Sequence, residues 1–188
     1  MTGKLIIFSA PSGSGKTTIY KRLFEKGLPL EFSVSACSRP MRQGEVNGRD
    51  YYFMSAEEFQ KRIENDEFIE WQEVYAGSYY GTLKSELDRI WAQGRHVVFD
   101  LDVLGGVNIK KIFAERALAI FIQPPSLEEL EKRLINRSTE TPETLKKRLD
   151  RARMELTYAP LFDVCIVNDD LEKAVAQAEK LVTDFIKQ

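Results

Sequence analysis

Residues 4–24, KLIIFSAPSGSGKTTIYKRLF, constrain the fold more than any other stretch. An apolar run stops at Pro11, Gly13 and Gly15. Lys16, Thr17 and Thr18 then open a segment whose apolar residues Ile19, Leu23 and Phe24 recur with helical period, and Gly27 closes it. A strand, a glycine-rich loop and a helix in immediate succession turn consecutive backbone N–H groups into one concavity. The helix N-terminus adds free donors and a partial positive charge. Such a loop suits a phosphate chain: Lys16 reaches the β- and γ-phosphates, and Thr17 offers a hydroxyl to Mg²⁺. The usual loop of this kind has glycine at the position of Ala10, and alanine is accommodated there if its φ is negative. Ala10, Pro11, Ser12, Gly13, Ser14, Gly15, Lys16, Thr17 and Thr18 form the candidate triphosphate site.

The rest of the chain repeats the strand–helix rhythm. Residues 31–37 read as one second strand, and 96–102, 117–123 and 163–168 as further apolar strands. Helical patterns occupy 83–93, 104–114, 127–136, 142–157 and 170–186. Ser55 with Glu58 and Ser126 with Glu129 are capping boxes, and Thr141-Pro142 reads as N-cap and first helical residue. Unbroken apolar strands alternating with helices imply a parallel sheet covered on both faces. Residues 31–82 interrupt that rhythm with short aromatic strands and a turn at 76–78, and read as an inserted subdomain. Trp71, Trp91, Phe99 and Phe121 are assigned to the core, and His96 to structure.

A net charge of −2 over 188 residues excludes a generally basic nucleic-acid binder. The basic residues cluster in two places, at 39–49 and at 131–153, a distribution that suits local anion sites and, equally, solvated helix or loop faces. Cys37 and Cys165 lie in apolar runs with no metal-ligand spacing, so both read as buried free thiols in a reducing compartment. No leader is expected before the first strand, and no stretch reaches about 18 apolar residues. The expectation is a cytoplasmic protein without nucleic-acid or membrane partners, either monomeric or homo-oligomeric.

A phosphate loop needs a carboxylate for its metal. The strand HVVFDLD ends in Asp100 and Asp102, two residues apart and therefore on one side, at the strand end where ligands of open α/β sheets bind. Asp102 also suits the N-cap of the following helix. Further along, Ser35, Arg39, Arg42 and Tyr51 fall within seventeen residues, and Glu70, Tyr80 and Thr82 follow in EFIEW and YYGT. Two arginines with hydroxyl donors enclose a phosphate. A carboxylate matches the N1–H and N2–H₂ donors of guanine and a hydroxyl its O6, whereas adenine would leave the carboxylate unpaired. Taken singly, the tyrosines suit strand packing and Glu70 a solvated rim.

SAPSGSGKTT, SVSACSRPMRQGEVNGRDYYF, EFIEW, YYGT, FDLDVLGG, FIQPPS and IVNDD together resemble the guanylate kinase family along nearly the full chain. The resemblance implies a P-loop NTPase three-layer α/β fold with a parallel core sheet (about 1–32, 96–125 and 158–188). It adds an inserted mixed-β nucleoside-monophosphate-binding subdomain (about 33–95) and a helical lid (about 126–157), all within one domain. It implies Mg²⁺-dependent transfer of the γ-phosphoryl of ATP to GMP, and by extension dGMP. By position, Arg39, Arg42, Tyr51 and Tyr80 would hold the GMP phosphate, and Ser35, Glu70, Thr82 and Asp102 would read guanine. Thr17 and Asp100 would serve the metal, and Asn168 the adenine edge. Lys16 and Arg42, with the lid arginines Arg133, Arg137 and Arg148, would act at the transferring phosphate. The chain departs from the family pattern at Ala10, at Ser138, where glycine is usual, and in a turn at 75–79 one residue longer than usual. Two other functions fit parts of the pattern: a non-catalytic peptide-binding module, and a kinase for AMP or a sugar phosphate. The intact loop speaks against the first and the Glu70–Asp102 pair against the second.

Overall fold

The structure is a computed structural model that describes residues 3–136 and 142–188. The chain enters through β1 (Leu5–Ser9), the phosphate loop and α1 (Lys16–Glu25). Strands β2 (Leu30–Phe32), β3 (Ala36–Cys37) and β4 (Tyr52–Phe53) follow, then α2 (Ala56–Glu64). The hairpin β5 (Phe68–Tyr75) and β6 (Ser78–Leu83) leads to α3 (Lys84–Ala92). The second half runs β7 (His96–Asp100), α4 (Val103–Phe113), β8 (Ala117–Gln123), α5 (Leu127–Ile135), α6 (Pro142–Leu156), β9 (Val164–Val167) and α7 (Leu171–Lys187). Helix starts follow from capping: Ser55 accepts from the Glu58 N–H, Asp102 from Gly105, Ser126 from Glu129 and Asp170 from Lys173.

Two sheets result. One is a five-stranded parallel sheet in the order β2-β7-β1-β8-β9, and the other a four-stranded mixed sheet in the order β4-β3-β6-β5. Residues 31–97 form one compact unit, and residues 4–30 with 98–188 form a second. In the second unit every residue of β1 is buried. Phe8 meets Tyr20 of α1, while Ile7 and Ser9 lie against Gly106 of α4. Helices therefore cover both faces of β1, which is why it reads as an unbroken apolar run. α5 and α6 pack on each other through Leu130, Leu134 and Ala152, flanked by Leu127, Leu145 and Leu149.

In the first unit, α2 covers one face of the mixed sheet. Phe59 is fully buried and stacks on Phe68 with ring centroids 4.3 Å apart, within a cluster that includes Ala36 and Leu83. Tyr52 and Tyr79 pack against the same cluster. Residues that alternate with these point to the opposite face.

Three sequence expectations need correction. Residues 31–37 are two strands: β2 joins the parallel sheet and β3 the mixed sheet, with a break at 33–35. No glycine or proline marks that break. Trp71 is 46% exposed, because β5 is the edge of the mixed sheet and Tyr79 meets the indole only edge-on. Cys165 is exposed because β9 is also an edge strand, with Ile166 turned inward and Cys165 and Val167 outward; Cys37 is buried as expected. Phe99 and Phe121 are core residues, and Trp91 is half-buried. The Thr141 cap, Arg137 and Ser138 lie outside the described residues.

Phe59→Ala should cost about 3–5 kcal/mol through loss of burial and the cavity left behind. Urea denaturation followed by circular dichroism checks this, and an unchanged midpoint would refute the packing described.

Candidate active site

The loop after β1 closes on itself through Ser14 N–H donating to the Pro11 carbonyl at 3.1 Å. Left-handed φ values fall at Gly13 (95°) and Gly15 (91°), whereas Ala10 is not among the positive-φ residues. The loop thus needs glycine at 13 and 15 and not at 10, so Ala10 is compatible with its backbone. Gly15 is required for a second reason: a Cβ there would lie 2.2 Å from the Asn168 amide nitrogen. That nitrogen donates to the Ser14 carbonyl at 2.7 Å and ties the loop to the end of β9.

A cleft of about 500 Å³ is lined by all nine loop residues from Ala10 to Thr18, by Asp100, Leu101 and Asp102 beyond β7, and by Arg148, Arg151 and Glu155 of α6. Lys16 forms an ion pair with Asp100, and its ammonium also donates to the Leu101 carbonyl at 3.3 Å. Asp102 lines the cleft while capping α4, accepting from Gly105 N–H at 2.8 Å. The buried Ser14 hydroxyl has no hydrogen-bond partner among the described residues. The cleft therefore sets a cation and a helix N-terminus beside strand-end carboxylates, a set suited to a phosphate chain with a cation.

Of the expected arginines, Arg148 lines this cleft. Arg133 lines a second cleft of about 280 Å³, with Gly13, Gly15, Thr18, Asn168, Asp169 and Leu171. There it donates to the Asn168 carbonyl at 3.0 Å. Sequence reasoning passed over Arg151 and Glu155. They form an ion pair at 2.8 Å, and Glu155 is buried. Their signal was the spacing 148, 151, 155, which repeats at three and four residues along one helix face.

The acceptor candidates, Asp102 apart, belong to the other unit. The rungs Ala36↔Gly81 and Ala36↔Tyr52, carried back one residue, place Ser35 beside Thr82 and Tyr51. Thr82 pairs with Glu70 across β5 and β6, and its hydroxyl donates to the Glu70 carboxylate at 2.9 Å. A β-bulge between Phe68 and Glu70 makes this possible. Strict alternation would put both side chains on one face, but the extra residue turns Phe68 into the core and Glu70 to the opposite face. Ser35, Tyr51, Glu70, Tyr80 and Thr82 thereby share the face away from α2.

Arg39 completes this face. Its guanidinium makes a two-pronged contact with Glu45 at 2.7 and 2.6 Å and lies over the Tyr51 and Phe53 rings. The Tyr80 ring meets the Tyr51 ring edge-on, with centroids 6.0 Å apart. Glu45, missed by sequence reasoning, further accepts from the Arg42 N–H at 2.7 Å, so one carboxylate holds the Arg39 side chain and the Arg42 backbone; the Arg42 side chain itself is exposed. Hydrogen bonds from Arg39, then from Arg42 N–H, hold the Glu45 carboxyl down to about 2 and raise the Arg39 guanidinium further above its already high value.

A glycine-rich loop that opens the first helix of a parallel sheet, its lysine paired to a carboxylate at the neighbouring strand end, defines a phosphate-loop nucleotide-binding protein. Comparison with known proteins narrows the class. The guanylate kinase family model matches residues 2–185. The chain is 55% identical to a guanylate kinase of Bacteroides thetaiotaomicron over 188 residues, 100% of this chain and 92% of that protein. It is also 55% identical to one of Porphyromonas gingivalis over 184 residues, 97% of this chain and 98% of the relative. The crystal structure of a guanylate kinase from Anaplasma phagocytophilum superposes with a TM-score of 0.76 at 29% identity, covering 100% of this chain and 88% of that one. This chain belongs to the guanylate kinase family.

Two outcomes follow from this geometry. Gly15→Ala should weaken ATP binding by displacing Asn168, while Ala10→Gly should leave it within about twofold, as expected of a change at a position without special backbone demands; isothermal titration with ATP measures both. The depressed Glu45 carboxyl keeps its ion pair above the ordinary carboxylate range and loses it only as pH falls through about 2. Carboxyl-carbon NMR should show that low titration in the intact chain, and a return toward about 4 in Arg39→Ala.

Proposed function

We infer that this chain transfers the γ-phosphoryl group of ATP to GMP, giving ADP and GDP, and that its two compact units divide the work. The observation that carries the acceptor assignment is the shared sheet face: Glu70 bonded to Thr82, beside Ser35, with Arg39, Tyr51 and Tyr80 further along. Glu70 would accept from the N1–H and N2–H₂ of guanine and the Ser35 hydroxyl would donate to O6, while Thr82, whose one hydroxyl proton goes to Glu70, would orient that carboxylate. Arg39, Arg42, Tyr51 and Tyr80 would hold the 5′-phosphate. Asp102, which would also read guanine, belongs to the other unit, where it lines the phosphate cleft and caps α4.

In the ATP-binding unit the loop N–H groups and Lys16 would cradle the β- and γ-phosphates. Arg148, together with Arg133 and Arg137, would neutralise charge on the transferring group. Residues 126–157 would act as a lid that excludes water. Asn168, bordering the second cleft, would meet the adenine edge. Mg²⁺ is commonly held by one or two protein oxygens, with phosphates and water completing its shell. Thr17 and Asp100 are oxygen donors on one cleft and fit that role, Asp100 through water. The ion would neutralise phosphate charge. No general base is needed, because the GMP phosphate is itself an anionic nucleophile. Supporting a cytoplasmic setting, both cysteines are free, and among the described residues no helix is long and apolar enough to cross a membrane.

The test is diphosphate formation from Mg²⁺–ATP with GMP, dGMP, IMP, AMP, CMP and UMP. Strong use of GMP, weak use of IMP, which lacks N2, and no use of AMP are expected; equal use of AMP would sink the Glu70 assignment. Glu70→Gln should lower kcat/KM for GMP about 100-fold with the KM for ATP unchanged, the scale of one lost charged hydrogen bond. Lys16→Ala should lower turnover by about 10²–10³ in a folded chain.

A further inference from the structure

Glu86 of α3 is only 2% exposed. A carboxylate buried to this degree is tolerated only when its oxygens are taken up by donors. Here four contacts do so: Val34 N–H at 3.0 Å, the Tyr52 hydroxyl at 2.9 Å, and Arg89 through Nε at 3.0 Å and Nη2 at 2.8 Å. Arg89 also reaches Glu31 at 3.4 Å, which pairs in turn with Arg95. The charge is thus compensated by a chain of ion pairs along α3 and β2.

Two of these contacts bracket the acceptor face. Val34 immediately precedes Ser35, and Tyr52 immediately follows Tyr51. Tyr52 N–H donates to the Ser35 carbonyl at 2.9 Å, so a backbone bond already joins the two segments. The segment at 33–35 lies between strands of different sheets and has few ladder bonds of its own. One carboxylate fastens that segment through its backbone and β4 through its side chain, from the face opposite the acceptor.

We propose that Glu86 is a positioning residue for the acceptor nucleotide. It holds Ser35, at the base, and Tyr51, at the 5′-phosphate, at the separation that a nucleoside monophosphate requires. The proposal rests on the GMP assignment above. Because Glu86 faces away from the acceptor side, it touches neither substrate.

The experiment measures KM for GMP, KM for ATP, kcat and thermal midpoint in the full chain and in Glu86→Gln and Tyr52→Phe. Glu86→Gln should raise the KM for GMP about tenfold, with kcat and the KM for ATP within about twofold. Tyr52→Phe, which removes one of the four contacts and leaves the charge paired, should raise it by a smaller factor in the same direction. A fall in thermal midpoint with no change in the KM for GMP would overturn the proposal and leave Glu86 a purely structural residue. So would an equal loss in all kinetic parameters. A parent chain inactive on GMP would instead overturn the acceptor assignment itself, and is seen before any variant is made. If Glu86→Gln does not fold, Tyr52→Phe alone decides.

Discussion

Burial of β1 on both faces is the constraint on which the rest of the structure depends. A strand covered by α1 on one side and α4 on the other can carry no polar side chain along its middle without a partner. Polar chemistry is therefore pushed to the strand ends. At the carboxyl ends of β1 and β7 the phosphate loop and Asp100 meet, and the Lys16–Asp100 pair joins them. The same logic explains why Ser9, the last residue of β1, is buried yet satisfied: its hydroxyl donates to the Asp102 carbonyl.

The mixed sheet obeys a different rule. One face is packed by α2 and the other is left to polar residues, so alternation should sort its side chains. A single bulge changes the sorting at the most consequential position. Without the extra residue between Phe68 and Glu70, either the phenyl ring would leave its stack on Phe59 or the carboxylate would enter the core. The bulge satisfies both, and the Glu70–Thr82 hydrogen bond is its result.

Carboxylates organise this unit more than its arginines do. Glu45 gathers the Arg39 side chain and the Arg42 backbone, Asp50 accepts from the Val46 N–H, and Glu86 gathers Val34, Tyr52 and Arg89. Short strands of two residues supply few ladder bonds, and charged side-chain acceptors substitute for them. The basic cluster at 39–49, suited in sequence to binding an anion, already contains the carboxylate that orients Arg39.

Much of this was legible without coordinates. The strand, loop and helix at 4–24 are local, and glycine spacing with helical periodicity specifies them from neighbouring residues alone. The capping serines at 55 and 126 and the two-residue spacing of Asp100 and Asp102 are local in the same sense. Three things were not legible. The strand at 31–37 divides between two sheets with no breaker residue, Trp71 and Cys165 are exposed because β5 and β9 are edges, and Glu86 finds Val34 and Tyr52 through folding. Each depends on which strand lies beside which, and no short-range pattern encodes that. The sequence by itself determined the phosphate loop, the helix starts and the residue types at both candidate sites. Only the tertiary structure decided which of those residues share a face, because strand neighbours and bulges are set by packing between segments far apart in the chain.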